Sequence, residues 1–223
     1  MKKILVTGGA GYIGSHAVKE LIKNGLDVVV LDSLEAGHKE AIDPKIKLEV
    51  VNLADKEKVK LVFEKHKPDS VVDFAAYLAV GESMENPKKY FQNNVVNFIY
   101  LLDVMRDVGC KYLIKSSTAA VYGNPIKDSD TPWQENFTEK YQPKKSALLA
   151  GKWDDTNVAG EEFFQKFISH YSQIYKNRSE LELNDLELSE LRIPLSIYGL
   201  SKALDEILME KYNKLSDIKS VTL

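Results

Sequence analysis

Short apolar runs alternate with amphipathic stretches through the first half of the chain. Lys3 to Val6 reads as a strand and Ile13 to Asn24 as a helix. Leu26 to Asp32 (L-D-V-V-V-L-D) is a buried strand that ends in a carboxylate. Ile46 to Asn52 is a further strand, followed by a charged helix from Lys56 to His66. Ser70 to Ala76 makes a fourth strand, Pro87 to Val108 a long helix, and Tyr112 to Ser116 a fifth strand. Apolar β runs with no polar face to offer water must be covered on both sides, which predicts a parallel sheet flanked by helices. Right-handed crossovers then give an α/β, doubly wound parallel sheet that takes ligands at the carboxyl ends of its strands.

The pattern changes after the fifth strand. From Ala159 to Asn177, residues Phe163, Phe164, Phe167, Ile168, Tyr171, Ile174 and Tyr175 fall on one side of an amphipathic helix. Glu180 to Leu191 is rich in Leu and Glu and fits strand or helix equally. A last long helix begins near Tyr198, and Ser220 to Leu223 falls in a sixth strand.

Composition narrows the class. A length of 223 residues allows one substantial core, or one and a half domains. A net charge of −3 provides no basic field for nucleic acid. The single cysteine, Cys110, excludes an intramolecular disulfide and fits a reducing cytoplasm. No apolar run reaches membrane-spanning length, and the apolar start is too short for a signal-peptide core. His16, His38, His66 and His170 show no metal-ligand spacing, so no metal is expected.

The stretch T-G-G-A-G-Y-I-G-S-H, Thr7 to His16, follows the first apolar run directly. Gly8, Gly11 and Gly14 space as G-x-x-G-x-x-G between a strand and a helix, a Rossmann-like phosphate turn. Glycine allows the tight turn and the close approach of a pyrophosphate, and the helix then aims unpaired N–H groups at the negative charge. Asp32 ends the second strand about twenty residues further on, where a carboxylate can bond both ribose hydroxyls. Ser33 and Leu34 follow it, with no arginine to neutralise a 2′-phosphate, so NAD is favoured over NADP.

Two further pieces carry candidate chemistry. One is K-S-S-T-A-A-V-Y-G, Lys115 to Gly123, and the other is Y-G-L-S-K, Tyr198 to Lys202. Tyr198 and Lys202 stand at i and i+4 on one helical face, where the ammonium can favour a phenolate. A tyrosine tuned in this way serves as general base or acid on a substrate hydroxyl, and the Thr118 hydroxyl can hold the same oxygen.

These segments, with L-D-S-L-E-A-G-H (Leu31 to His38), F-A-A-Y-L-A-V-G-E-S-M-E-N-P (Phe74 to Pro87) and N-N-V (Asn93 to Val95), carry a resemblance. Over residues 1–126 and 192–223 the chain resembles the extended short-chain dehydrogenase/reductase family, and within it the UDP-glucose 4-epimerases. The resemblance implies a tightly held NAD, a UDP-sugar substrate and hydride moved out and back through a 4-keto intermediate. Tyr198 would take the proton from the sugar 4-hydroxyl, and Lys202 would position the nicotinamide ribose. Tyr12, Ile13, Asp32, Ser33, Leu53, Phe74, Ala75, Ala76, Asn93 and Ser116 would line the NAD site. The family's adenine-binding aspartate falls on Asn52, whose amide oxygen can still accept, and a lysine near the pyrophosphate falls on Leu78. Related dehydratases carry Asp-Glu where this chain has Ala119-Ala120, which argues against dehydration. A homodimer is the default state that the resemblance implies.

The chain departs from the family between Thr118 and Tyr198, which are 80 positions apart and much closer in the family. Residues 127–191 therefore read as an atypical, partly helical insertion after the fifth strand, with thirteen acids, eight bases and both tryptophans, Trp133 and Trp153. The family's C-terminal substrate domain is expected to be missing beyond Leu223, so turnover by this chain alone is in doubt. Two other classes stay open: another NAD-dependent sugar-nucleotide oxidoreductase, and a non-catalytic NAD-binding or interaction module.

Overall fold

Lys3–Thr7 (β1), Asp27–Asp32 (β2), Lys47–Val50 (β3), Ser70–Asp73 (β4), Tyr112–Lys115 (β5) and Lys219–Thr222 (β6) form one parallel sheet in the computed structural model. Its order is β3-β2-β1-β4-β5-β6. The doubly wound expectation holds, and the order reverses direction between β1 and β4, which opens a crevice there. The structure describes residues 2–122 and 196–223. The sheet belongs to a unit of Met1–Ala119 and Ser196–Leu223. The other unit, Ala120–Leu195, lies almost wholly outside the described residues, and so do Trp133, Trp153 and the predicted elements Ala159 to Asn177 and Glu180 to Leu191.

The inner strands are apolar on both faces because both faces are covered. Ile4, Val6, Val28, Val30 and Val72 point one way and pack with Val18 and Leu21 of the first helix, Tyr12–Lys23 (α1). Leu5, Val29, Val71 and Leu113 alternate with them and are equally buried. Each such side chain contributes about 1.5–3 kcal/mol by leaving water. The second helix, Lys56–His66 (α2), packs against Asn97–Val108 (α5). Asp55 caps α2, its side chain accepting from the Lys58 N–H, while Lys67 ends it in the left-handed conformation.

Three elements differ from the sequence expectation. The strand predicted to run to Ala76 stops at Asp73, because the Asp73 carboxylate turns back to accept the Ala75 N–H at 2.9 Å. The continuous helix predicted from Pro87 to Val108 is three pieces: Pro87–Tyr90 (α4), a π-helical segment Phe91–Val96, and α5. A short helix before them, Val80–Glu85 (α3), was not expected. The last helix, Ile197–Leu215 (α6), starts under a Ser196 cap that accepts the Gly199 N–H. It packs against α3 and the π-helical segment. Among the described residues no helix is long and apolar enough to cross a membrane.

Candidate active site

A cavity of about 630 Å³ opens at the carboxyl ends of the strands. Its first wall is the turn after β1, where Gly8, Gly11, Tyr12, Ile13 and Gly14 line the space. Gly8 has φ +66°, and a Cβ there would lie 2.6 Å from the Ala75 nitrogen. A Cβ on Gly14 would lie 2.2 Å from the Gly8 carbonyl oxygen, so α1 can come this close to the turn only without one. Gly11 is the N-cap of α1 and has no side chain to satisfy the N–H groups of the first turn.

Asp32 and Ser33 continue the wall from β2. Asp32 braces the turn as well as facing the cavity: it accepts the Ala10 N–H at 2.9 Å and the Leu34 N–H at 2.8 Å. Asn52 and Leu53 lie beyond β3, and the Asn52 side-chain oxygen accepts the Ala54 N–H at 2.8 Å. From β4 come Phe74, Ala75, Ala76 and Leu78, with Leu78 largely exposed.

The second wall comes from β5, α6 and the π-helical segment. Ser116, Thr118, Tyr198, Lys202 and Asn93 line the same cavity, although Thr118 and Tyr198 are far apart in the chain. Lys202 is buried and donates to the Ser116 carbonyl oxygen at 2.8 Å. Burial, reinforced by the Lys115 ammonium, pulls the Lys202 ammonium down to about 8 against the opposing pull of Asp205, Asp73 and Glu206.

Several residues that place this wall were not singled out as site residues from the sequence. Ser83 accepts the Tyr198 N–H at 3.1 Å and donates to the Val80 carbonyl at 2.6 Å, so the A-V-G-E-S run anchors the start of α6. Asn94, on the π-helical segment, accepts the Tyr77 N–H at 2.8 Å and donates to the Tyr77 carbonyl at 3.1 Å and to Ser201 Oγ at 3.0 Å. One amide thereby ties the loop after β4 to α6, a functional placement common for π turns. The motif N-N-V contained that signal, but no local pattern tells which asparagine faces which neighbour. Across the mouth, the Tyr77 hydroxyl donates to Glu35 at 2.6 Å. Burial and that carboxylate push the Tyr77 hydroxyl up to about 12. Lys89 lies 4.6 Å from the centroid of the same ring and pairs with Glu82 at 2.5 Å.

A glycine turn, a braced carboxylate and a Thr-Tyr-Lys set on one cleft suit a dinucleotide and a substrate hydroxyl. A family model described as "Epimerase: NAD dependent epimerase/dehydratase family" matches residues 4–149. The chain belongs to this family. It is 51% identical over 133 residues to a UDP-glucose 4-epimerase of Lactobacillus helveticus, covering 58% of this chain and 40% of that protein. It is 46% identical over 156 residues to one from Streptococcus mutans serotype c, covering 68% of this chain and 47% of the relative. Among solved structures, the Thermus thermophilus UDP-glucose 4-epimerase in complex with NAD superposes with a TM-score of 0.69 at 28% identity, covering 99% of this chain and 53% of that one. The chain thus spans about half the length of the relatives it matches. Among the described residues no cluster of His, Cys, Asp and Glu could hold a metal ion.

Proposed function

We propose that this chain is the NAD-binding part of a UDP-glucose 4-epimerase-like isomerase that interconverts UDP-galactose and UDP-glucose through a 4-keto intermediate. The observation that carries the reading is the one cavity lined by the glycine turn at one end and by Thr118, Tyr198 and Lys202 at the other. The residues present suit the cofactor: the uncapped first turn of α1 offers N–H groups to a pyrophosphate, and the Asp32 carboxylate offers acceptors to ribose hydroxyls. Asn52 would accept the adenine amino group. When bound, NAD supplies the hydride acceptor and returns the hydride.

The chain's own residues do the rest. Tyr198 receives the proton of the sugar 4-hydroxyl and gives it back, and the Thr118 hydroxyl holds the same oxygen. Lys202, whose ammonium is held on the Ser116 carbonyl, would position the nicotinamide ribose. Leu78 offers no cation to the pyrophosphate, so backbone donors carry that contact. In this reading residues 1–126 and 192–223 are the NAD-binding domain and 127–191 an insertion. The protein acts in the cytoplasm as a homodimer.

Calorimetric titration with NAD, followed by a turnover assay on UDP-galactose, tests the proposal. Saturable NAD binding with UDP-glucose formed, no net NADH and loss of turnover in Tyr198→Phe support an epimerase. Net NADH would assign a different sugar-nucleotide oxidoreductase. Absence of NAD binding would refute the proposal.

A further inference from the structure

Behind the catalytic wall, four ionisable side chains from three strands and helices meet out of water. Asp73 of β4, Lys115 of β5, and Lys202 and Asp205 of α6 are 0%, 1%, 2% and 1% exposed. Of the four, Lys202 alone lines the cavity, and the other three stand behind it. Lys115 Nζ donates to Asp73 Oδ2 at 2.7 Å, lies 3.2 Å from Asp205 Oδ2, and sits 3.9 Å from the Phe98 ring centroid. The other Asp73 oxygen accepts Thr7 Oγ1 at 2.5 Å and the Ala75 N–H at 2.9 Å. Asp205 is differently placed: among the described residues the contact that holds it is the Lys115 ion pair, within the surrounding field.

Burying ions costs several kcal/mol each, and well-packed apolar side chains often serve stability as well or better. Stability therefore does not account for a cluster of four. Its position does, since it lies at the carboxyl ends of β4 and β5 and directly under the residue that meets the cleft. Asp205 and Asp73 both attract the Lys202 ammonium, and unopposed they would draw it inward and away from the Ser116 carbonyl. Lys115 stands against both carboxylates, and its charge answers theirs before Lys202 can.

We infer that Lys115 is a positioning residue for Lys202: by occupying Asp73 and Asp205 it leaves the Lys202 ammonium on Ser116 O, at the cavity wall. The inference rests on the proposed role of Lys202 and extends it to a residue that touches neither cofactor nor substrate. The groups that set the charge on Lys202 are Lys115 of β5, Asp73 of β4, and Asp205 and Glu206 of α6. Removing Lys115 leaves Lys202 as the cation facing two buried carboxylates, so its proton is held more tightly. Neutralising Asp205 removes an attraction and leaves Lys115's repulsion, so the proton is held less tightly.

The test is a pH titration of the Lys202 side-chain nitrogen by ¹⁵N-edited NMR on the full chain, assigned with Lys202→Met. Lys115→Met should move the Lys202 titration up by about one pH unit or more, and Asp205→Asn should move it down. Lys115→Met should also weaken NAD binding about tenfold in the parent chain and have little effect in a Lys202→Met background. A Lys202 titration unmoved by either substitution would overturn the inference and leave the cluster structural. Should Lys115→Met fail to fold, Lys115→Gln, which also removes the charge, carries the same predictions. The NMR arm needs no cofactor, so failure of the parent chain to bind NAD would sink the proposed function and leave this result separately readable.

Discussion

The β1–β2 side of the cleft is made of backbone, glycine and space, whereas the side from β4, β5 and α6 is made of buried side chains that meet across long stretches of sequence. On the first side, Gly8 and Gly14 act by lacking a Cβ, and Asp32 reaches a backbone N–H 22 residues away and another two residues on. On the second, Asn94 bonds Ser201 across 107 residues and Ser83 bonds Tyr198 across 115. The first side can be lost by adding a single methyl group. The second can be lost by removing one polar side chain, such as that of Asn94.

Substitutions should separate the two sides in a graded order. Gly14→Ala forces a Cβ into the Gly8 carbonyl, so the turn must open; a loss of about 3 kcal/mol in denaturant unfolding is expected, together with loss of NAD binding. Asn94→Ala strands both backbone groups of Tyr77 and releases Ser201; about 2 kcal/mol should be lost, with a larger effect on turnover than on NAD affinity. Equal losses of turnover and NAD affinity would show that the two sides are not separable.

A third prediction uses pH. Burial raises Asp205 to about 6, above its ordinary 3.8, so its contribution to stability is full below 3.8 and lost as pH rises through about 6. Lys202 runs the other way: depressed from 10.5 to about 8, it contributes most above 10.5, and that contribution is lost as pH falls through about 8. Neutral pH is therefore the least favourable range for both groups. Relative to Asp205→Asn, the parent chain should gain thermal stability between about pH 7 and about pH 5. A constant difference across that range would contradict the burial of a charged Asp205.

The smallest expected effect is at the mouth. Tyr77→Phe removes the hydroxyl that bridges to Glu35, and should cost about 1 kcal/mol or less while speeding NAD release several-fold in stopped-flow displacement. An unchanged release rate would place the bridge outside the binding process.

The same contrast separates what is legible in the amino-acid sequence from what is not. The parallel sheet follows from runs such as Val28–Leu31, buried on both faces, and the glycine turn from spacing that leaves few alternatives. Tyr198 and Lys202 share a helix face by the i, i+4 rule. The π-helical segment was not legible, because its cause is tertiary: Asn94 is drawn to Tyr77 and Ser201. Lys115 was visible only as a residue leaving a strand. Nothing local announces that Asp73 and Asp205, 42 positions before and 90 after it, would meet it out of water.

Amide chemical-shift mapping during NAD titration reports whether both sides close on one dinucleotide, as proposed. Concerted, saturable shifts are expected at Gly8 to Gly14 and Asp32 to Gly37, and at Ser116 to Thr118 and Tyr198 to Lys202. Shifts confined to the glycine-turn side, or none on either, would contradict that closure.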